Sequence, residues 1–293
     1  MTENVIASPA RTRAILAAHG VMPKKSLGQN FLVDRRVLER IVAAAELDRE
    51  TAVLEIGPGV GALTEFLARA AGKVVAVELD RRLLPVLAET LAPYPHVHVV
   101  HGDFLELDLP AFFAEHFAGW TKRAVVANLP YYVTTPILFK LIEARDEVPL
   151  CVLMVQKEVA ARLAAQPGTK DYGALTIAVQ FYAEVDYVMT VPKHAFVPRP
   201  QVDSAVVRIR RRPAPLAAVP DERLFFRVVR AAFSQRRKTI LNNLAHNLEE
   251  GGSRAAARAL LEASGIDPAR RAETLSIAEF ARLTQRLHEW TTR

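Results

Sequence analysis

Ala52-Val53-Leu54-Glu55-Ile56-Gly57-Pro58-Gly59-Val60-Gly61 joins a short apolar run to a glycine-rich turn, and a helical pattern follows from Ala62 to about Ala70. The run reads as a buried strand, because it is short, apolar and bounded by turn residues. Glycine in the turn admits positive φ and lets a ligand approach the backbone. Amides at the helix start favour an anionic or carboxylate group. Strand, glycine turn and helix, in that order, open a βαβ unit.

The same alternation continues on the C-terminal side. Lys73-Val74-Val75-Ala76-Val77 is a second strand, with a helix from about Arg81 to Thr90 behind it. Val97-His98-Val99-Val100 is a third strand and Ala124-Val125-Val126-Ala127 a fourth. A helix covers about Thr135 to Ala144, and Leu150 to Gln156 is a fifth strand. Upstream, Asp34 caps a helix from Arg35 to about Ala45. Strands alternating with helices imply a mostly parallel sheet. Tyr182 to Val191 and Ser204 to Arg210 read as two more strands, separated by a loop containing Pro192, Pro198 and Pro200, and they close the sheet as an antiparallel pair. Arg211 to Pro220 is a linker rich in Pro and Ala. Beyond it the pattern is helical, with turns at Gly251-Gly252 and Gly265-Ile266-Asp267-Pro268. The predicted architecture is of the α/β class: a Rossmann-like, mostly parallel seven-stranded sheet over residues 1–212 and a small helical domain over 213–293.

Composition narrows the function classes. Of 293 residues, 51% are apolar, ample for a core and unlike a disordered chain. The single cysteine, Cys151, excludes an internal disulfide and a multi-cysteine zinc site, and its apolar setting reads as an inert buried thiol. The eight histidines show no spacing suited to a ligand cluster, so no metal is expected. No apolar stretch is long enough to span a bilayer, and the N-terminus, with Glu3, lacks the apolar core of a secretory signal. A cytoplasmic, reducing compartment is expected.

The net charge is +6 and the sequence pI about 9.6, with the excess unevenly placed. Between Lys193 and Lys238 stand twelve basic residues, among them Arg208, Arg210, Arg236, Arg237 and Lys238, against Asp203, Asp221 and Glu222. A second basic group is Lys24-Lys25 with Arg35-Arg36. Such patches are the electrostatic footprint of a phosphate-backbone partner.

A glycine turn alone suits NAD, FAD or S-adenosylmethionine. Here the third glycine of a dinucleotide fingerprint is missing, since Leu63 stands two places after Gly61. Glu78 closes the second strand about twenty residues after Gly57, where a carboxylate can take both hydroxyls of a ribose. Asp103 follows the third strand, where it can meet an adenine amine, and Asn128 follows the fourth. Ends of neighbouring parallel strands lie side by side, so these groups line one crevice. NAD binding would occupy Glu78 and leave Asp103 and Asn128 without tasks.

Asn128-Leu129-Pro130-Tyr131 places a carboxamide, a free carbonyl and a ring at the sheet rim. That set suits a flat base with an exocyclic amine. The Asn128 oxygen accepts one amine proton, the carbonyl of Leu129 or Pro130 accepts the other, and Tyr131 stacks on the base. The nitrogen lone pair is then turned out of the ring plane, ready to attack an electrophile.

With these residues in place, the chain resembles the ribosomal RNA adenine dimethyltransferases over nearly its whole length. Lys25-Ser26-Leu27-Gly28-Gln29-Asn30-Phe31-Leu32 is similar to that family's N-terminal motif, Leu54 to Gly59 to its methyl-donor loop, and Asn128 to Tyr131 to its catalytic tetrapeptide. Phe196 to Ser204 resembles its second base-stacking loop, and Ala232 to Thr239 and Arg271 to Ser276 resemble motifs of its helical domain. The resemblance implies a class I methyltransferase domain with S-adenosylmethionine as cofactor. It assigns Asn30 and Leu32 to the methionine and sulfonium end, Gly57 and its neighbour Gly59 to the amino-acid carboxylate, Glu78 to the ribose and Asp103 to the donor adenine. Asn128 and the carbonyl of Pro130 would bind the target amine, between the rings of Tyr131 and Phe196. Lys24, Lys25, Arg208, Arg210, Arg236, Arg237 and Lys238 would grip RNA. The implied reaction is dimethylation of two adjacent adenines in a loop near the 3′ end of small-subunit ribosomal RNA, late in assembly of the small subunit, by a monomer that binds no membrane. The alternatives are a large-subunit RNA adenine methylase of the macrolide-resistance type, a DNA adenine methylase, and an assembly-checkpoint or transcription-factor-like binding protein.

Overall fold

The computed structural model describes residues 5–247 and 253–292. The expected turn at Gly251-Gly252 lies outside them, as does Glu3. Nine strands are present among the described residues. They are β1 (Phe31–Leu32), β2 (Thr51–Ile56), β3 (Lys73–Glu78), β4 (Val97–His101), β5 (Lys122–Asn128), β6 (Leu150–Gln156), β7 (Ala183–Val191), β8 (Phe196–Val197) and β9 (Ser204–Arg211). Seven form one sheet in the order β4-β3-β2-β5-β6-β9-β7, and β1 pairs with β8 in a separate ribbon.

The sheet is parallel from β4 to β6, and β9 runs antiparallel to β6. The reversal of strand order beside β2 creates the topological switch point where ligands of open α/β sheets bind. Every residue of β2 is buried, which only a central strand with both faces covered requires. Each buried Val or Leu there contributes about 1.5–3 kcal/mol, so the rim stands on a rigid support. Cross-strand bonds continue past the strand ends: the Gly57 amide donates to the Val77 carbonyl (2.9 Å) and the Gly102 amide to the Glu78 carbonyl (3.0 Å). Glu78 pairs with His101 and Asn128 with Met154 in register, which aligns the ends of neighbouring strands.

The helix predicted after Asp34 spans Arg35–Ala44, with the Asp34 carboxylate accepting the Arg36 and Val37 amides. The helix after the glycine turn spans Ala62–Ala70. Sequence reading passed over the helix Pro9–Ala18, capped by Ser8, the helix Leu109–His116, capped by Asp108, and the β1–β8 ribbon. Ser8 with Pro9 and Asp108 with Pro110 mark the two helices in the sequence, whereas two-residue strands carry no periodicity.

The described residues cluster into two compact units. One comprises residues 5–160 and Asp186–Arg211; the other comprises Ala161–Val185 and the described residues from Arg212 onward. The expectation placed a single boundary at residue 212, whereas the clustering also sets Ala161–Val185 with the C-terminal residues. The segment Ala161–Val185, read as part of the first domain, packs with the C-terminal helices: Phe181 stacks on Phe225 at 4.6 Å between ring centroids, and the Gly168 amide donates to the Glu273 carbonyl (2.7 Å). Within this second unit Asn243, 2% exposed, donates to the carbonyls of Ala232 (2.6 Å) and Gln235 (3.1 Å) and accepts from Ser234. Those bonds hold the turn that displays Arg236, Arg237 and Lys238.

Candidate active site

The crevice at the sheet rim is lined by the ends of β2 to β5 and by residues Leu27 to Leu32. Asn30, Leu32, Gly57, Gly59, Glu78, Asp103, Asn128, Pro130 and Tyr131 all border it. Its walls carry three carboxylates, Glu55, Glu78 and Asp103, and no Lys or Arg among the described residues. A lining with acidic side chains and no cation offers a pyrophosphate no counter-charge and suits a cationic sulfonium, so its chemistry fits a sulfonium donor better than a dinucleotide.

Glu78 is 5% exposed. Its carboxylate accepts the Gly59 amide (3.2 Å) and the Asp80 amide (2.7 Å). Burial raises its pKa, against the pull of those two amides. Asp103 accepts the Leu105 amide through one oxygen (2.8 Å), and its other oxygen has no partner among the described residues. These bonds orient both carboxylates.

The glycine turn works differently from the expectation. The Gly57 amide belongs to the sheet ladder and the Gly59 amide to Glu78, so neither is left for a ligand. Gly57, at φ 70°, has open space where a side chain would stand; Gly59, at φ 62°, leaves no room for one, since a Cβ would meet the Phe31 ring at 2.9 Å. What the turn offers is bare backbone surface together with the Val60 amide, which has no partner among the described residues. The helix Ala62–Ala70 has no side-chain cap, so its first-turn amides stay open to an anion. Sequence reading missed Val60 because an amide's availability depends on which carbonyl opposes it across the sheet.

Glu55, 1% exposed, has one carboxylate oxygen without a partner. Burial, reinforced by the nearby Glu78 charge, pushes its pKa up to about 8. A carboxyl raised in the folded state contributes stability that is complete below its unfolded pKa and is lost as pH rises through the folded one. The stability of the donor-free protein is therefore expected to fall between about pH 4.5 and about pH 8 on this group's account. Glu55→Gln removes the titration, so the variant is expected to gain stability over the parent progressively across that window. Urea denaturation at a series of pH values checks it; parallel curves would exclude the effect.

At the end of β5 the Asn128 side-chain amide donates to the Asn30 carbonyl (3.1 Å). With its nitrogen engaged, the carboxamide oxygen is left as an acceptor without a partner among the described residues, on a residue that lines the crevice. The Asn30 side chain is itself held by the Gly28 carbonyl (3.0 Å). The carbonyl assigned to the target amine changes. Pro130 already accepts the Val133 amide (3.2 Å) and the Thr134 hydroxyl (3.1 Å). The Leu129 carbonyl accepts nothing from the described residues, and Leu129 lines the crevice with Asn128, so it is the second open acceptor. Tyr131 is half-buried, and its hydroxyl bonds to Ser204, which sets the plane of the ring.

Phe196 departs from the expectation that its ring faces the target base opposite Tyr131. It is 1% exposed and pairs with Leu32 across the β1–β8 ribbon, where it belongs to the core. Its ring has no free face in this structure and does not line the crevice. Tyr132, 53% exposed, is on the lining together with Tyr131, Phe31 and Phe104.

The basic residues separate into two kinds. Arg208 pairs with Glu46 (2.7 Å) and Asp186 (2.9 Å), and Arg210 pairs with Glu46 (3.1 Å). These strand arginines are neutralised, which corrects their assignment as free phosphate contacts. Arg237 and Lys238 are exposed with no carboxylate partner among the described residues, while Arg236 donates to the Lys170 carbonyl. Lys24 is exposed; the Lys25 side chain lies outside the described residues.

Fold and crevice together define a Rossmann-like, S-adenosylmethionine-dependent methyltransferase. Residues 21–289 match the family described as ribosomal RNA adenine dimethylase, and the chain belongs to that family. A relative from Geobacillus thermodenitrificans (strain NG80-2), a ribosomal RNA small subunit methyltransferase A, is 58% identical over 283 residues, covering 96% of this chain and 97% of its own. A relative of the same name from Bacillus mycoides (strain KBAB4) is 56% identical over the same shares. Among solved structures, a dimethyladenosine transferase from Plasmodium falciparum aligns with a TM-score of 0.72 at 28% identity, over 89% of this chain and 98% of that one. The 23S rRNA methyltransferase ErmE aligns with a TM-score of 0.67 at 31% identity, over 88% of this chain and all of that one.

Proposed function

We propose that the protein transfers methyl groups from S-adenosylmethionine to the exocyclic amines of two adjacent adenines in a loop near the 3′ end of small-subunit ribosomal RNA, producing dimethylated bases. The observation that carries this reading is the pair of open acceptors, the Asn128 oxygen and the Leu129 carbonyl, beside a crevice of carboxylates without a cationic side chain. S-adenosylmethionine, when bound, supplies a methyl group on a sulfonium. The chain's residues hold the reactants. Val60 and the first-turn amides of the helix Ala62–Ala70 take the amino-acid carboxylate, Glu78 the ribose hydroxyls, and Asp103 the adenine amine. Asn30 and Leu32 cover the methionine end, with Phe196 packed behind Leu32. Asn128 and Leu129 accept the two protons of the target amine, and Tyr131 stacks on its ring. Held so, the nitrogen lone pair forms the new N–C bond as the S–C bond breaks, and the nitrogen then loses a proton to water. Alignment supplies most of the rate effect, and the target base must leave its stack to reach the rim.

The preference for small-subunit RNA over the large-subunit substrate named for ErmE follows the identities, 58% against 31%. The test is incubation of the protein and labelled donor with small subunits lacking the modification, followed by mass mapping of the RNA. Two dimethylated adenines in the 3′ loop are expected; label only in large-subunit RNA or DNA would overturn the reading. We place the protein in the cytoplasm as a monomer acting on immature small subunits.

Arg237 and Lys238 are the phosphate contacts of this reading. Loss of each is expected to reduce the slope of log affinity against log salt by about 1. Arg208→Ala is expected to leave that slope unchanged, because Glu46 and Asp186 already engage the guanidinium. Salt titrations of subunit binding compare the two; equal losses would place Arg208 in the interface.

A further inference from the structure

Residues 22–30 form a strap along one wall of the crevice. Four of them, Leu27 to Asn30, line it. The strap meets the rest of the fold at few polar points. Asp80, 6% exposed, accepts the Gln29 side-chain amide (2.9 Å) and a two-pronged contact from Arg82 (2.9 and 2.5 Å). Arg82 donates in turn to the Met22 carbonyl (3.2 Å), at the other end of the strap. The Gln29 oxygen accepts the Lys24 amide (2.7 Å), which orients its carboxamide toward Asp80. The Asp80 amide donates to the Glu78 carboxylate (2.7 Å), so the clamp and the ribose carboxylate share one turn of chain. Beyond these, the Asn30 carbonyl accepts from Asn128, and Gly28 passes so close to Tyr132 that a Cβ would stand 3.2 Å from its ring.

We propose that Asp80, with Gln29 and Arg82, is a positioning group that clamps the 22–30 strap against the donor crevice and sets how long the donor stays bound. The inference rests on the crevice being the donor site. None of the three side chains is assigned a contact with donor or base. Their carboxylate–guanidinium–carboxamide set ties both ends of the strap to the turn after β3 in place of a packed apolar contact: Met22 is 76% exposed. A charge-assisted set of this kind holds position while remaining breakable, as a wall that must move to admit a ligand requires.

The experiment uses S-adenosylhomocysteine as probe, with Gln29→Ala, Asp80→Asn and Glu78→Gln variants of the full chain. In Gln29→Ala and Asp80→Asn the probe's dissociation rate and the donor KM are expected to rise about tenfold, while kcat at saturating donor changes less than about twofold. Trypsin cleavage at Lys24 and Lys25, within the strap, is expected to be slowed by the probe in the parent and to be fast with or without it in Gln29→Ala. Gln29 lies on the strap and not in the core, so this variant tests the clamp even where Asp80→Asn fails to fold. Unchanged dissociation and cleavage in Gln29→Ala overturn the clamp; if Glu78→Gln weakens binding about 100-fold in the same series, the crevice remains the donor site. Full binding by Glu78→Gln would instead overturn the reading of the crevice on which the clamp rests.

Discussion

Asn128→Ala is expected to lower methyl transfer by about 10²–10³-fold while subunit binding is retained, the range found when one preoriented hydrogen-bonding group is removed from an active site. The side chain has two tasks. Its nitrogen donates to the Asn30 carbonyl, and that bond leaves its oxygen as one of two acceptors for the target amine. Alanine deletes the acceptor and releases Asn30. Asn128→Asp separates these tasks: it keeps an acceptor but sets a carboxylate against the Asn30 carbonyl. Its donor KM is therefore expected to rise along with the loss in kcat. Single-turnover methylation of small subunits, with filter binding beside it, measures both quantities. An alanine variant within a few-fold of the parent rate would remove Asn128 from the reaction.

Glu78→Gln is expected to weaken donor binding by about 100-fold, the order of two charge-assisted bonds exchanged for neutral ones. The ionised form is the acceptor for the ribose hydroxyls. Burial raises the pKa of Glu78, so the parent's donor affinity is expected to fall on acidification at a higher pH than for an ordinary carboxylate. The Glu78→Gln variant has no such titration, and its weak affinity should be flat with pH over that range. Calorimetric titration with S-adenosylhomocysteine at several pH values checks both parts. A parent curve that is flat while the variant binds weakly would separate the role of the side chain from the role of its charge.

Much of this site is legible in the sequence because its parts are local to strand ends. A strand followed by Gly57-Pro58-Gly59, then strands ending at Glu78, before Asp103 and at Asn128, places four groups along one rim as soon as the strands are parallel. Patterning establishes that parallel arrangement: β2 is apolar through most of its length, and helices intervene between strands. The cap at Asp34 is legible for the same reason, since a cap bonds to amides two or three residues away.

The assignments that changed all depend on partners distant in the chain or on the local fold of a turn. Pro130 and Leu129 offer identical carbonyls to a reader of sequence; the helix starting at Thr134 consumes one and leaves the other. Gly57 loses its amide to Val77 on the neighbouring strand, and the open amide passes to Val60. Phe196 reads as a base-stacking ring until β8 pairs with β1 and turns it into the core. Arg208 and Arg210 count as free charge until Glu46, far back in the chain, is brought beside them. Ala161–Val185 reads as a continuation of the first domain until Phe181 meets Phe225.

The sequence by itself determined the sheet class, the rim and the chemical types gathered there, because hydrophobic period, glycine turns and caps act over a few residues. Only the tertiary structure decided which of those groups is still open to a ligand. Each backbone amide or carbonyl and each charged side chain can be engaged by a partner from anywhere in the chain: an amide that has donated its one proton is used up, whereas a carboxylate such as Glu78 keeps lone pairs for a ligand. The clamp of Asp80 on Gln29 and Arg82 belongs to the same category: three unremarkable polar residues in the sequence, joined only once β3 and the strap are folded together.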